Sequence, residues 1–466
     1  MKIIQPLILS CLVAAATVSA ATRPNVVFFL VDDFGYHDLS LTGSPVYETP
    51  AIDDLARQGM LLKKAYAAYP RCVPSRFAMI TGVHPSRAEG KGERLTDMDP
   101  SHVTMAEALK VHGYKTFFTG KWHLGKSPER YPDAQGFDIN IGGGSAGAPG
   151  AYFPPYGSEK NLTGTDTLEP DEGEYLTDHL TRKTVEFIDA NKGDPFFIYL
   201  SHYAVHTPIQ GKPDKTARYN EKIGGIEFDG PEYEIGPDGR HLRHPTNAGY
   251  AAMVESVDES LKTVIDALKR HNLFEDTIII LTSDHGGLSN SGPDNKRELA
   301  TTNLPLRAGK GHMYEGGIRI PVVVYWPGAV KAGSTGHFPI TGMDYYPTIL
   351  EMLGLPLQPD DHVDGVSFVD GLKGNDNLNA DRSFFWYSDV GRRHNTGDYN
   401  AAVIRRGPYK LLEFFDQKRI EVYDLEADPG EKSNLAGKLP KIEKALYKEL
   451  KAWKAEMNVR DRKQKR

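Results

Sequence analysis

The sequence predicts an α/β protein with a large, mainly parallel central sheet flanked by helices, then a smaller C-terminal antiparallel sheet plus a helix. Up to about residue 350, short uniformly apolar runs such as Asn25–Val31 alternate with amphipathic helical patterns such as Asn247–His271. Such runs are typical of parallel strands buried on both faces. From about Asp360, four short runs are separated by turn residues, which favours a small antiparallel sheet.

The N-terminus has the layout of a signal peptide. Lys2 precedes an apolar run, Leu7–Val18, and small residues follow it before Ala21. The run is too short and interrupted for a membrane anchor, and no other segment is long enough to span a bilayer. We therefore expect a signal peptide (1–20) in a protein exported to the periplasm or the extracellular space. The change of pattern near Asp360 divides the rest into an N-terminal domain (21–359) and a C-terminal subdomain (360–466).

The net charge of the chain argues against a nucleic-acid partner. The chain has 466 residues and a formal net charge of −7. A nucleic-acid-binding protein would normally carry a basic excess, so we expect no nucleic-acid partner.

The first predicted strand, Asn25–Val31, ends on Asp32 and Asp33. Two adjacent carboxylates at a strand tip repel each other and need either a cation or solvent. The residues alone leave a solvated turn as an alternative. Thr49–Met60 follows as a predicted helix with Pro50 at its first position.

The next stretch, Cys72–Gly82, reads C-V-P-S-R-F-A-M-I-T-G. The chain has two cysteines, and the other one, Cys11, falls in the predicted signal peptide. A single remaining thiol is either a reactive group or a small buried side chain. The proline, serine and arginine within one turn of Cys72 favour a reactive group, because a structural cysteine needs none of them.

Three later strand ends carry further polar residues. The helix Thr104–His112 leads into a strand ending on Gly120-Lys121-Trp122-His123, and the strand Pro195–Leu200 precedes His202 and His206. Lysine and histidine two residues apart on an extended tip point the same way and could flank one anion or form a surface pair. The strand Thr277–Thr282 ends near Asp284 and His285, which repeats the layout of the first strand.

These motifs together carry a family resemblance. C-V-P-S-R closing on Thr81-Gly82 resembles the signature of the type I formylglycine-dependent sulfatases, which are arylsulfatase-like members of the alkaline phosphatase superfamily. The G-K-W-H tip, the histidine before T-P, and Leu306–Pro321 with its lysine Lys310 also match that family. The resemblance covers nearly all of Pro24–Leu435, implies an alkaline-phosphatase-like fold, and suggests a bacterial carbohydrate sulfatase.

The resemblance implies a reaction and a set of site residues. In that family the cysteine is oxidised to formylglycine, whose hydrate attacks sulfur and expels the alcohol; the remaining hydroxyl then drives release of sulfate. It implies a maturation partner, either a formylglycine-generating enzyme or an anaerobic sulfatase-maturating enzyme. The implied catalytic residues are Cys72, Arg76, Lys121, His123, His206 and Lys310. The implied metal ligands are Asp32, Asp33, Cys72, Asp284 and His285, a set suited to Ca²⁺, with Mg²⁺ as the alternative.

Individual roles follow from the same resemblance. The two lysines and Arg76 would supply positive charge, with Arg76 also holding the hydrate. His123 would orient or deprotonate the hydrate, and His206 would protonate the leaving oxygen. Many relatives have asparagine at the position of His285, so this histidine either binds the metal or contacts the sulfate.

The predicted function is hydrolysis of sulfate monoesters on sulfated saccharides. A phosphate or phosphonate ester hydrolase of the same superfamily, or a non-catalytic sulfoglycan-binding protein, are the alternatives. The long polar segment Gly211–Pro245 and the turn at Arg392–His394 are rich in basic residues that would suit further anionic groups of a sugar chain or form solvated surface. Tyr152, Phe153 and Tyr156 could stack on a sugar or belong to the core.

Overall fold

The structure is a computed structural model that describes residues 23–89, 96–157, 163–236, 238–294 and 297–461. The predicted signal peptide (1–20) lies outside the described residues. Within those ranges, no helix combines the length and the apolar character that a membrane crossing requires.

The strands of the described residues fall into four sheets. They are β1 (Asn25–Val31), β2 (Met60–Leu62), β3 (Ala65–Tyr66), β4 (Lys115–Gly120), β5 (Ile139–Ile141), β6 (Phe196–Ser201), β7 (Tyr233–Gly236), β8 (Gly239–Leu242), β9 (Thr277–Ser283), β10 (Asn290–Ser291), β11 (Val322–Tyr325), β12 (Ser334–Gly336), β13 (Ile340–Thr341), β14 (Ser383–Ser388), β15 (Ala401–Arg406), β16 (Tyr409–Phe414) and β17 (Arg419–Asp424).

The helices of the same ranges flank these sheets. They are α1 (Pro50–Gln58), α2 (Cys72–Thr81), α3 (Pro85–Glu89), α4 (Met105–Val111), α5 (Leu176–Asn191), α6 (Pro213–Gly224), α7 (Ala248–Arg270), α8 (Glu315–Ile318), α9 (Tyr345–Met352), α10 (Val369–Leu372) and α11 (Pro440–Glu456).

The largest sheet of the described residues has the strand order β12-β2-β11-β9-β1-β6-β4-β5. The strand β1 lies at its centre, parallel to both β6 and β9. Every residue of β1, β6 and β9 is buried, because apolar cores cover both faces of the sheet. The strand β11 runs antiparallel to its neighbours β9 and β2, so the sheet is mainly but not wholly parallel, as predicted.

Helices cover the two faces of this sheet. On one face, α5 and α7 pack with Phe29, Ile198 and Leu281 into a core cluster. On the other face, α2, α4 and α9 pack against Phe28 and Ile280. The sheet is therefore held rigidly from both sides, and its carboxyl edge is a fixed platform for side chains.

The C-terminal part is an antiparallel sheet of β14 to β17 in chain order, with α11 packed on β15 and β16. This confirms the predicted fold class, including the smaller C-terminal sheet and its helix. The other face of the small sheet packs against the segment around Tyr314 and Ile318 in one apolar cluster. The boundary between residues 359 and 360 stays a prediction.

The segment 211–245 differs from the long loop that the sequence predicts. It contains α6 and the hairpin of β7 and β8. Its basic residues Lys215 and Arg218 form ion pairs with Glu255 of α7, so much of the segment's charge is structural. Polar composition concealed the helix because only a narrow stripe, including Tyr219, faces the core.

Three aromatic side chains could, from the sequence, either stack on a sugar or belong to the core, and the structure decides between the two. Tyr152 and Tyr156 are buried core residues, and Phe153 packs against the same cluster. They are core side chains and not a sugar platform.

Candidate active site

Two neighbouring strands place carboxylates at the same edge of the central sheet. Asp32 and Asp33 follow β1, and Asp284 follows β9, which pairs with β1 in parallel. The backbone N–H of Asp33 donates to Asp284 Oδ1 at 3.1 Å. All three residues are buried. The carboxyl ends of adjacent parallel strands thus bring together the acidic residues that the sequence placed in separate segments.

Cys72 is the first residue of α2 and its thiol faces this acidic edge. Its Sγ lies 3.4 Å from Lys121 Nζ, 3.3 Å from His285 Nε2 and 3.9 Å from Asp32 Oδ1. Burial raises the pKa of the thiol, but the charges of Lys121 and Lys310 outweigh it and hold the pKa well below its usual value. The residue is therefore in an environment that favours an anionic side chain.

The far end of α2 explains the glycine of the motif. Gly82 caps the helix with φ 68°, and its N–H donates to Ala78 O at 2.9 Å. A Cβ at this position would lie 2.5 Å from the Cβ of His362. Glycine is therefore required both by the left-handed backbone and by the close packing.

Arg76, one turn after Cys72, joins the carboxylates to each other. Its Nε donates to Asp284 Oδ2 at 3.0 Å, and its second terminal nitrogen lies 3.2 Å from Asp32 Oδ1. Its remaining terminal nitrogen donates to Ser201 Oγ at 2.7 Å. Among the described residues its hydrogen bonds go to these groups and to the Lys121 carbonyl rather than to the thiol.

Two buried lysines occupy the other carboxylate oxygens. Lys121 Nζ lies 2.5 Å from Asp32 Oδ2, and Lys310 Nζ lies 2.7 Å from both oxygens of Asp33. Burial opposes ionisation of Asp33, but Lys310 and the nearby histidines lower its pKa below the usual value. Both lysines therefore point into the same small space as the thiol.

The histidines form the remaining wall. His206 donates from Nδ1 to the Thr207 carbonyl at 2.8 Å, which leaves Nε2 facing Asp33 Oδ2 at 3.8 Å. His285 likewise lies 3.0 Å from the Gly286 carbonyl through Nδ1 and presents Nε2 to the thiol. Burial, with the charge of Lys310, lowers the pKa of His206 and so favours its neutral ring.

His123 contacts the same space from the G-K-W-H tip. Its backbone has φ 59°, and its N–H donates to Gly144 O at 3.0 Å. Gly147 lies against its ring so closely that a Cβ there would lie 2.3 Å from Cε1. The glycine-rich stretch that contains Gly144 and Gly147 therefore fixes this histidine. His202, in contrast, lies 2.9 Å from Ser260 Oγ through Nε2, in the core and outside the site.

The site also offers a ligand set for a metal ion. Ligand atoms of Asp32, Cys72, Asp284 and His285 all lie within 4.8 Å of one another, and those of Asp33, Cys72 and His206 form a second such group. Carboxylate oxygens are hard ligands, and their present partners are ammonium and guanidinium groups. The donor set therefore fits an oxygen-preferring divalent cation.

Sequence reasoning missed the residues that the C-terminal part contributes. Arg71 binds the carboxylate of Asp398, which lies in the long connection between β14 and β15. Ser201 and Ser75 were not assigned a role from the sequence, although Ser75 donates to the Asp284 carbonyl at 2.5 Å. Serine within C-x-P-S-R was a usable signal for Ser75; an arginine and an aspartate 327 residues apart give none.

The fold and site define the class of protein. Residues 24–355 match the family described as Sulfatase, and residues 308–456 match the family described as N-sulphoglucosamine sulphohydrolase, C-terminal. The chain belongs to the sulfatase family and is a sulfuric ester hydrolase. That family uses a metal ion and formylglycine.

Particular relatives support the assignment along the whole chain. A sulfatase of Formosa agariphila is 30% identical, with 94% of this chain and 90% of the relative covered. An N-acetylgalactosamine-6-O-sulfatase of Bacteroides thetaiotaomicron is 27% identical, with 93% of each covered. The crystal structure of Ps i-CgsB in complex with k-i-k-neocarrahexaose superposes with a TM-score of 0.75 at 30% identity, covering 93% of each chain.

Proposed function

We propose that this chain is an exported sulfatase that removes sulfate from sulfated saccharides, with a formylglycine made from Cys72 and one bound divalent cation. The observation that carries the proposal is the position of Cys72. Its Sγ lies within 3.4 Å of the Lys121 ammonium and the His285 ring at the carboxyl edge of the sheet. A family signature alone would not require these neighbours.

The residues around Cys72 suit the transfer of an anionic group. Once oxidised and hydrated, the side chain at position 72 supplies the nucleophile for attack on sulfur. Lys121 and Lys310 lie where they would neutralise charge on the sulfuryl oxygens. His206, with Nε2 facing the site and a lowered pKa, would give a proton to the leaving oxygen only after acquiring one in the complex, and His123 would orient the hydrate.

We assign the metal to Asp32, Asp33, Asp284 and His285, with residue 72 beside them, and expect Ca²⁺ or Mg²⁺. When bound, the ion neutralises the converging carboxylates and polarises oxygen atoms at the site. Zn²⁺ is disfavoured because the set is dominated by carboxylate oxygen.

Mass spectrometry tests the modification. When the protein is made with a formylglycine-generating or anaerobic maturating enzyme, the tryptic peptide Cys72–Arg76 should lose its thiol and gain an aldehyde. Protein made without that enzyme is the matched control and should be inactive. Full activity with only unmodified cysteine would contradict the proposal, and Cys72→Ser protein should lose turnover.

Chelation tests the metal. Dialysis against a chelator should abolish hydrolysis, and Ca²⁺ or Mg²⁺ should restore it, with the better ion identifying the native one. Retention of full activity in protein shown to be metal-free would contradict the assignment.

Matched ester pairs test the substrate class. N-acetylgalactosamine 6-sulfate and a sulfated galactan oligosaccharide are the first substrates to assay, because relatives are named for such sugars. Each should react faster than 4-nitrophenyl sulfate, and the corresponding phosphate esters should react slowly. Fast hydrolysis of the aryl sulfate with none of any sulfated sugar would overturn the saccharide assignment; faster cleavage of the phosphates would favour a phosphate ester hydrolase.

A further inference from the structure

The side chain of Arg71 points away from Cys72 and toward Asp398 of the C-terminal part. Arg71 immediately precedes Cys72 and has an extended backbone, so its side chain diverges from the thiol. The residue is 7% exposed, and one terminal nitrogen of its guanidinium donates to both oxygens of Asp398 at 2.7 and 2.8 Å. The other terminal nitrogen is buried and has no hydrogen-bond partner in the described residues.

A buried guanidinium nitrogen without a partner is costly, because such groups are nearly always satisfied. Its partner Asp398 belongs to the C-terminal part, which thus reaches the segment next to Cys72. Nothing in the reaction at residue 72 uses this nitrogen. It is therefore a donor still available to a group that the chain itself does not supply.

The loop that holds Asp398 is fixed in place by several contacts. Thr396 donates its hydroxyl to Asp398, and His312 Nε2 lies 2.8 Å from the Thr396 carbonyl. A Cβ on Gly311 would lie 2.8 Å from both Arg71 and Asp398, so the pair is tightly packed. Asp398 thus positions Arg71, and His312 positions the loop that holds Asp398.

The same loop brings a second guanidinium to Arg71. The Arg392 N–H donates to Asp398 Oδ2 at 3.2 Å, and its side chain is exposed and makes no ion pair with the described residues. The charge of Arg71, and after it burial, lowers the pKa of Arg392. Cys72 is also close enough to act on Arg392, and it raises that pKa. Two cations thus lie near each other, but Asp398 forms an ion pair with Arg71 and accepts only the backbone N–H of Arg392.

A third cation, Arg297, lies near the same loop. Burial lowers the pKa of Arg297; the charge of Asp33 raises it and that of Arg71 lowers it further. The Arg297 guanidinium donates to Asn395 Oδ1 at 3.0 Å. Guanidinium groups bind sulfate and carboxylate through paired, charge-assisted hydrogen bonds. An anion beside Arg71 would accept from its buried terminal nitrogen, which has no hydrogen-bond partner among the described residues, and would lie next to the exposed Arg392.

We propose that a second anionic group of the substrate, beyond the sulfate that is cleaved, binds between Arg71 and Arg392 and sets the enzyme's preference for multiply charged saccharides. This inference rests on the proposed sulfatase function. The shared chemistry is an anionic group with two or more acceptor oxygens, which a second sulfate or a uronate carboxylate both provide. The reacting sulfate lies instead at Cys72, between Lys121 and Lys310.

The test compares Arg392→Gln with the matched control Arg393→Gln, whose arginine is the next residue and stacks on Tyr399. The substrates are N-acetylgalactosamine 6-sulfate, its 4,6-disulfate, and a uronate-containing disaccharide carrying the same 6-sulfate. Loss of a charge-assisted contact should raise KM for a doubly charged substrate about 10- to 100-fold. For the monosulfate, and for every substrate of the control, the change should stay within about twofold.

The outcomes separate the possibilities. A selective KM increase with the disulfate assigns the position to sulfate, and one with the uronate substrate assigns it to carboxylate. Equal changes for all three substrates, or none, would overturn the inference. Turnover of the monosulfate by the unmodified enzyme establishes sulfatase function independently, so failure of the two proposals is distinguishable.

A binding measurement tests the same assignment without turnover. In Cys72→Ala protein, calorimetry should show the disulfate bound more tightly than the monosulfate, and Arg392→Gln or Arg71→Lys should each remove that difference. Arg71→Lys keeps a cation beside Asp398 and lacks the free guanidinium nitrogen. An undiminished preference in both variants would refute the assignment.

Discussion

Lys410 should be among the most destabilising positions to mutate, although it lies outside the reaction site. Its ammonium is fully buried in β16, 3.0 Å from Glu315 Oε1 and 2.8 Å from Glu431 Oε1. Glu315 belongs to α8, in the segment before β11, so this cluster joins the central part of the chain to the C-terminal sheet. Lys410→Met would remove the nearest cation from two buried carboxylates and leave Glu315 with Arg319, 3.8 Å from its Oε2.

The expected loss follows from the partners that remain. Removing one member of a buried ion pair costs about 3–5 kcal/mol, because the other charge stays desolvated. Glu315 retains the Tyr66 hydroxyl at 3.0 Å, and Glu431 retains the Glu315 N–H at 2.7 Å. We therefore expect Lys410→Met to lower the free energy of unfolding by about 3–5 kcal/mol at pH 8.

Urea unfolding at pH 8, followed by the fluorescence of the buried Trp386, measures this loss. Lys444→Met, which removes an exposed lysine of α11, should change the free energy of unfolding by no more than about 0.5 kcal/mol. Adding Glu315→Gln and Glu431→Gln to Lys410→Met should recover part of the loss, because the buried charges are then gone. A loss below about 1 kcal/mol would refute the view that Lys410 compensates two charges.

Three further changes test the site and the same cluster. Gly147→Ala should displace His123 and lower kcat about 10- to 100-fold, since small displacements of reacting groups have effects of that size. His206→Ala should lower kcat about 10²- to 10⁴-fold for a sugar sulfate and less for 4-nitrophenyl sulfate, whose leaving group needs no proton. Burial, with the charge of Glu315, raises the pKa of Glu431 to about 7, so stability should fall as pH rises from about 4.5 through 7; Glu431→Gln should flatten that curve.

Each of these has a control and a contrary result. Gly157→Ala, where a Cβ meets nothing within 4 Å, should leave kcat unchanged. An equal kcat loss for sugar and aryl sulfates in His206→Ala would argue against proton donation to the leaving oxygen. Exposed Glu426→Gln should retain the pH dependence, and its retention in Glu431→Gln would assign that dependence to another group.

The central fold was predictable because buried parallel strands leave a plain signal. The uniformly apolar runs at β1, β6 and β9 gave both the sheet and the edge where Asp32 and Asp284 meet. The reactive stretch was also readable, since Cys72 stands beside residues that a structural cysteine would not need.

Contacts between distant, polar segments were not predictable. Arg71 and Asp398 pair across 327 residues, and neither has a neighbour in sequence that marks the other. The helix α6 was hidden because ion pairs such as Lys215 with Glu255 stabilise it, and composition does not distinguish a paired lysine from a solvated one. Sequence patterns therefore report burial well and charge pairing poorly.

The balance of charge at the site would give the proposed divalent cation a second role. Without it, Asp32, Asp33 and Asp284 are matched by Lys121, Lys310 and Arg76, and each lysine lies against a carboxylate. Lysines engaged in this way have little positive charge to offer an incoming anion. A divalent cation on the carboxylates would leave a net excess of two positive charges and release the lysines toward the substrate. The ligands that we propose for the metal would thus also determine whether the site attracts a sulfate ester.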